Sequence, residues 1–427
     1  MDKKEIMRKD REYIFPAIKH FYEEPLVISS GDGMYLYDID GKEYLDFFGG
    51  ILTVSVGHCN KEITDKIYSQ LRTLQHTSTI YINEPMIRFA EKLVQIAPEG
   101  LKKCFFTNSG TEANETAVLA AKMHTGQQEI ITLRHSYHGR SMVGMSLTGN
   151  YTWRLGGTHA AGVKHAHNAY CYRCAFRLKY PECDLQCARD IEEIILTETG
   201  GKIAGIIAEP IQGVGGFITP PKEYFGIVRE IVKKYGGVLI SDEVQTGFGR
   251  TGYTWWGIDH YDVQPDMITC AKGIANGVPC GATVATDEVA SSFGGQSIST
   301  FGGNPVSSAA GLATIDFIEK NDLKTRAGTM GEYLKDRLLE LAAKYPLIGD
   351  VRGMGLMQGI ELVREHKIPA VHEASLLMEK TRGKGLLIGK AGLYGNVLRI
   401  APGLIVTKSD IDTGITLLDQ AFAEIST

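Results

Sequence analysis

Val238-Leu239-Ile240-Ser241-Asp242-Glu243-Val244-Gln245-Thr246-Gly247-Phe248-Gly249-Arg250-Thr251-Gly252 opens the stretch that decides the fold, and Met267-Ile268-Thr269-Cys270-Ala271-Lys272-Gly273 closes it. Val238–Ile240 is a short apolar run with strong β preference, the pattern of a buried strand. Asp242 follows at once. Met267–Cys270 is a second such run, and Lys272 comes after one alanine. An acid and a lysine therefore each stand just past the end of a parallel strand, with enough chain between them for one crossover. In open α/β sheets that edge is where ligands bind.

Most lysines are solvated, and a reactive one needs burial or special neighbours. Lys272 leaves an apolar run and is flanked by Ala271 and Gly273, which leaves room for a bulky adduct. That setting suits a lysine forming a Schiff base with an aldehyde cofactor. Pyridoxal phosphate needs such a lysine, a carboxylate to keep its ring nitrogen protonated, and a cradle for its phosphate. Asp242 is the candidate acid. The cradle candidate lies upstream. Lys103–Phe106 reads as a strand, it ends in Thr107-Asn108-Ser109-Gly110-Thr111-Glu112, and an Ala-rich helix follows to Lys122. Free N–H groups at a helix N-terminus attract anions, Ser109 and Thr111 add hydroxyls, and Gly110 lets the backbone come close. An ordinary helix cap is the alternative for this motif alone. No GxGxxG follows a strand, so a dinucleotide site has no support.

The block Ser241–Gly252 with Lys272 downstream resembles the class III pyridoxal-phosphate aminotransferases of fold type I. The resemblance runs from about Leu45 to Pro402. Within the class it is greatest to the alanine–glyoxylate aminotransferase 2 and ω-amino-acid aminotransferase group, through Tyr44–Phe48, Thr53–Cys59 and Ala208–Val214. It implies an α/β fold with a large domain (residues 61–315) built on a mainly parallel seven-stranded sheet. A smaller α+β domain would form from residues 1–60 and 316–427. It also implies ping-pong transfer of an amino group from alanine or a β- or ω-amino acid to glyoxylate, pyruvate or 2-oxoglutarate.

The resemblance assigns further roles. Tyr137 stacks on the cofactor ring, with His138 beside it. Glu209, past the strand Ile206–Ala208, lies near the cofactor, and Gln245 touches the ring hydroxyl. Gly50 and Ile51 stand on the substrate pocket wall. Arg140 holds a distal substrate carboxylate, and Arg399 the α-carboxylate. Thr300, in Ser299–Pro305, reaches the cofactor phosphate of the neighbouring subunit, which implies a homodimer, with a tetramer also open. Val214 departs from the ornithine and 4-aminobutyrate enzymes, which carry there a glutamate that pairs with the α-carboxylate arginine. Arg399 therefore lacks a switch partner.

Composition narrows the rest. The 427 residues carry 45 Lys and Arg against 50 Asp and Glu, a net charge of −5 with both signs scattered. No basic patch suggests nucleic acid, and no segment reaches the ~20 apolar residues of a membrane span. The charged start MDKKEIMRKDREYIF lacks the apolar core of a signal peptide, so a cytoplasmic home is expected. Of eight cysteines, Cys171, Cys174, Cys183 and Cys187 cluster at a spacing that zinc or an iron–sulfur cluster could use. The class does not normally carry a metal, and free thiols are expected. Cys59, Cys104, Cys270 and Cys280 read as core fillers.

Along the chain, Ser29–Gly33 is turn-like and Tyr35–Leu45 reads as a hairpin turning at Asp40-Gly41. Phe47–Val56 reads as a packed strand or loop. Helical periodicity marks 62–74, 86–96, 307–319, 334–344 and 374–384, and Val351–Leu362 is Gly-rich and strand-like. Two rivals stand beside transamination. One is an epimerase, decarboxylase or phospho-lyase of the same class. The other is an inactive metal-binding or scaffolding protein.

Overall fold

The computed structural model describes residues 1–156 and 160–425. The chain begins with α1 (Lys3–Tyr13), then β1 (Ile28–Asp32), β2 (Tyr35–Asp38), β3 (Glu43–Asp46), the short turn α2 (Gly49–Leu52) and helices α3 (Lys61–Thr73) and α4 (Glu84–Ile96). Strands and helices then alternate: β4 (Leu101–Thr107), α5 (Gly110–Thr125), β5 (Ile130–Leu133), α6 (Met142–Leu147), β6 (Val163–Ala166), α7 (Gln186–Glu198), β7 (Gly205–Ala208), α8 (Tyr224–Lys234), β8 (Val238–Asp242), β9 (Met267–Cys270), β10 (Gly281–Thr286), α9 (Asp287–Ser292) and α10 (Pro305–Lys320). The last part holds α11 (Leu323–Lys344), β11 (Ile348–Met354), β12 (Met357–Leu362), α12 (Val371–Gly383), β13 (Leu386–Leu387), β14 (Gly389–Ala391), β15 (Val397–Ile400) and α13 (Lys408–Ile425).

The central sheet has seven strands in the order β4-β10-β9-β8-β7-β5-β6. β5 to β9 pair in parallel, and β10 runs against both β9 and β4. Strands β5, β7, β8 and β9 are buried at every residue. This is why they read as unbroken apolar runs, because helices cover both faces of a parallel sheet. The register sets Ala208 against Ser241, and Asp242 against Thr269. Glu209, Asp242 and Lys272 thus emerge at one edge of the sheet.

Two four-stranded sheets flank this core, β1-β2-β3-β13 and β11-β12-β15-β14. In the first, Leu45 of β3 pairs in parallel with Leu386 of β13, so the two ends of the chain share a sheet. That pairing supports our proposed small domain made from residues 1–60 and 316–427. The helix α10 runs on to Lys320, so the expected boundary at residue 315 falls inside a continuous helix.

Several local readings need correction. Ser29–Gly33 lies mostly in β1, and the turn sits at Gly33-Met34, where Asp32 pairs with Tyr35. Phe47–Val56 is neither a strand nor a plain loop: Gly49, Gly50, Ile51 and Leu52 have φ of 56°, 58°, 68° and 58°, a left-handed turn. The glycines take it freely, whereas Ile51 and Leu52 are strained, and burial of Leu52 helps hold the turn. Cys59 is exposed rather than a core filler, whereas Cys270 and Cys280 are buried.

Candidate active site

The helix α5 starts where strands β8 and β9 end. Ser109 caps it, its Oγ accepting from the Glu112 N–H at 3.3 Å. The first N–H groups past the cap have no acceptor within the helix. Gly110 is required for the approach: a Cβ there would meet Val244 Cγ2 at 2.9 Å and Ala271 Cβ at 3.5 Å. The helix end thus abuts both strand ends and, with Ser109, Gly110 and Thr111, closes one side of a cavity of about 310 Å³.

Asp242 forms its floor and is 3% exposed. Its Oδ2 accepts from His138 Nδ1 at 2.7 Å and from Asn114 Nδ2 at 2.8 Å, while Oδ1 accepts from the Val244 N–H at 3.1 Å. Thr269 Oγ1 donates to Asn114 Oδ1 at 2.6 Å, which fixes that amide. Glu209 is also buried, and its two oxygens accept from the backbone N–H groups of Tyr137 (2.9 Å) and Gly213 (2.8 Å). Burial outweighs nearby His138 and raises its carboxyl to about 7.

Lys272 faces these acids and keeps part of its surface open to the cavity. Its ammonium nonetheless sits deep: desolvation lowers the pKa to about 8, against the pull of Asp242 and with a push from Arg399. Its backbone is left-handed, with φ 49°. Gln245 lines the same cavity, and its Oε1 has no partner among the described residues.

A second cavity of about 500 Å³ adjoins the first, and Tyr137, Gln245 and Lys272 line both. Ile51, Val214 and Arg399 stand on its walls. Arg399 is 4% exposed, and burial lowers it to about 10. Its Nε and Nη1 have no partner among the described residues. The guanidinium lies 4.7 Å from the Phe48 ring and 5.7 Å from the Phe217 ring.

Two expected residues stay apart. Arg140 is exposed and lines neither cavity, and its backbone N–H donates to Thr111 Oγ1 at 3.4 Å. Thr300 is exposed in a loop beyond both cavities. Among the described residues, no three His, Cys, Asp or Glu side chains stand together to hold a metal, the Cys171–Cys187 loop included.

The first cavity fits pyridoxal phosphate in its donor set: an anion-seeking helix end, a buried carboxylate held by His138 and Asn114, an unpartnered amide oxygen and a desolvated lysine. The family model for aminotransferase class-III matches residues 18–422.

The chain belongs to the class III aminotransferases.

It is a fold type I enzyme dependent on pyridoxal 5′-phosphate, and it moves an amino group to an oxo acid. It is 42% identical to alanine–glyoxylate aminotransferase 2 homolog 2, mitochondrial, of Arabidopsis thaliana, over 98% of this chain and 87% of that one. It is 36% identical to the taurine–pyruvate aminotransferase of Bilophila wadsworthia, over 99% of this chain and 98% of that one. A solved Bacillus anthracis aminotransferase superposes with a TM-score of 0.93 at 34% identity, covering 99% of this chain and all of the other.

Sequence reasoning missed some of this class III site. Asn114 left a signal, a polar residue on the buried side of an Ala-rich helix. Phe21, Tyr22 and Trp153 line the second cavity but come from segments with no periodic pattern. Trp153 meets the Tyr137 ring edge-on at 5.3 Å.

Proposed function

We propose that the amino donor is alanine or a β- or ω-amino acid, and that the acceptor is a small oxo acid such as glyoxylate, pyruvate or 2-oxoglutarate. The observation that carries this reading is Lys272, which opens on both cavities between buried Asp242 and Arg399, whose Nε and Nη1 have no partner among the described residues while Nη2 donates to Lys390 O at 3.5 Å. The relatives described above act, by their names, on alanine with glyoxylate and on taurine with pyruvate. All these substrates pair an amine or a carbonyl with an acid group.

Pyridoxal phosphate, when bound, supplies an aldehyde that exchanges with amines and a ring that accepts electrons from the adjacent carbon. The chain does the rest. The N-terminus of α5, with Ser109 and Thr111, holds the phosphate. Asp242, oriented by His138 and Asn114, keeps a proton on the ring nitrogen. Tyr137 walls the ring, and Gln245 offers its amide to the ring hydroxyl. Arg399 takes the acid group of the substrate, as a planar guanidinium fork suits a carboxylate or sulfonate. Lys272 Nζ, with its proton loosened by burial, moves a proton at the substrate carbon as base and then as acid.

The dimer is part of the same proposal. Thr300 sits with exposed Ile298 and Phe301, His76 meets the Phe301 ring at a tilt at 5.2 Å, and exposed Ile80, Tyr81 and Ile82 follow His76 in the chain. A second copy would cover this apolar surface and receive Thr300 in its phosphate site. A cytoplasmic location remains proposed, with cell fractionation as its test.

The test of the substrate reading is the visible spectrum of the loaded protein with a panel of amines and no acceptor. Bleaching by some donors, with release of the matching oxo acid, supports it. A loaded protein that reacts with none of them refutes it. Racemised substrate or released phosphate instead would favour an epimerase or a phospho-lyase.

A further inference from the structure

The sheet β11-β12-β15-β14 turns one face toward the site. Its register sets Arg352 against Gly359, and Gly359 against Arg399. Paired residues of neighbouring strands point to the same side. Arg352 and Arg399 therefore share a face, separated by a residue with no side chain. Over that glycine lies the turn Gly213–Phe217. A Cβ on Gly359 would meet Gly216 O at 3.2 Å and Phe217 Cβ at 3.3 Å.

This turn touches the site at three points. Gly213 abuts Gln245, where a Cβ would come within 2.3 Å of Nε2. Val214 stands in the substrate cavity, and its carbonyl accepts from the Gly392 N–H at 3.0 Å. Phe217 lays its ring beside Arg399. The turn is also strained at one residue: Gly216 takes its φ of 99° freely, but Phe217 has φ 55°, a left-handed value that only outside contacts hold in place for a bulky residue.

Arg352 supplies such a contact. Its Nε donates to Gly216 O at 2.8 Å. Nη1 donates to Asp350 Oδ2 and Glu361 Oε2, both at 2.7 Å, and Nη2 donates to Tyr170 Oη at 3.2 Å. The whole fork is engaged, and the side chain is 10% exposed. A lysine has no such fork.

We propose that Arg352 is a positioning residue: it clamps the turn Gly213–Phe217 to the sheet and so fixes Phe217 against Arg399 and the acid-binding end of the substrate cavity. With Val214 in place of a carboxylate partner, Arg399 is held by the rings of Phe48 and Phe217 and by a long bond from Nη2 to Lys390 O at 3.5 Å, and one of those rings depends on Arg352. The inference rests on the reading of Arg399 as the acid-binding group.

The test compares Arg352→Lys, Phe217→Leu, Asp350→Asn and Arg399→Ala in the loaded enzyme, with pyruvate as the acid-bearing partner and a neutral primary amine in the donor half-reaction. Arg352→Lys is expected to raise KM for pyruvate about tenfold, the scale of one charged hydrogen bond, and to leave the neutral amine's rate nearly unchanged. Phe217→Leu keeps the ion cluster and is expected to give the same split. Asp350→Asn spares the bond to Gly216 and is expected to leave that KM unchanged. Calorimetric titration with propanoate, which binds without reacting, is expected to weaken in step with KM. Equal losses with both partners, or lost thermal stability at constant KM in Arg352→Lys and Phe217→Leu, would overturn the proposal. If Arg399→Ala also leaves KM unchanged, the reading of Arg399 falls with it; if Arg399→Ala raises KM and the other two do not, only the role of Arg352 falls.

Discussion

His138 Nδ1 and Asp242 Oδ2 lie 2.7 Å apart, in a place where the two residues are 1% and 3% exposed. A carboxylate can only accept, so Nδ1 carries the proton. Asn114 donates to the same oxygen at 2.8 Å, so two donors from different elements fix the direction in which the carboxylate points. Asp242→Asn removes the charge and sets an amide against these donors. The expected outcome is a fall of about a hundredfold or more in the half-reaction rate, with the fold intact by circular dichroism. Asn114→Ala leaves the charge but frees the carboxylate, and a smaller loss, about tenfold, is expected.

Lys272 makes the cofactor-free protein sensitive to pH. Burial lowers its pKa from 10.5 to about 8. The unfolded chain then holds the proton more tightly than the folded one, so this group makes stability rise with pH between about 8 and 10.5 and penalises the fold below that window. Lys272→Met removes the penalty. Urea midpoints of the cofactor-free proteins at neutral pH are expected to favour the variant by about 1–3 kcal/mol, with the gap closing as pH rises. A constant gap would count against burial as the cause.

Gly213→Ala tests the packing behind Gln245. The added Cβ falls 2.3–2.4 Å from three side-chain atoms of Gln245. Gln245 must move, and overpacking of this kind costs about 1–3 kcal/mol. Weaker cofactor retention on dialysis and a shifted visible band are expected, and an unchanged spectrum would show that the amide does not reach the ring.

Arg140 is exposed and outside both cavities of the single chain. An exposed charge contributes little, so Arg140→Ala is expected to change the preference for β-alanine over alanine by less than about fivefold. A much larger selective loss would support its expected role at a distal substrate carboxylate.

Legibility followed the range of the signal. The stretch Val238–Gly273 declared itself because two fully buried strands each end in a chemical group. The hairpin at Asp40-Gly41 was equally plain, with Gly41 at φ 85° and the Asp38 N–H donating to Lys42 O at 3.0 Å. Hidden features depend on distant partners. Phe21 packs on Phe48 at 5.6 Å, and neither segment signals that contact alone. Nothing local makes β10 antiparallel, since its residues read like those of its neighbours. The left-handed turn at Gly49–Leu52 is carried by Ile51 and Leu52 against their preference, and only the assembled site requires it.

The pairing of Leu45 with Leu386 has a consequence for how the protein is made. Strand β3 leaves the ribosome first, and its partner follows only after the whole seven-stranded sheet has been made. The seven-stranded sheet between them can close on local crossovers meanwhile, since domains tend to fold as they appear. Ile51 and Arg399 lie on either side of that late seam and face one cavity. The nascent chain therefore makes the proposed cofactor cradle, at α5 and Asp242, well before it makes Arg399, the group proposed to hold the substrate's acid.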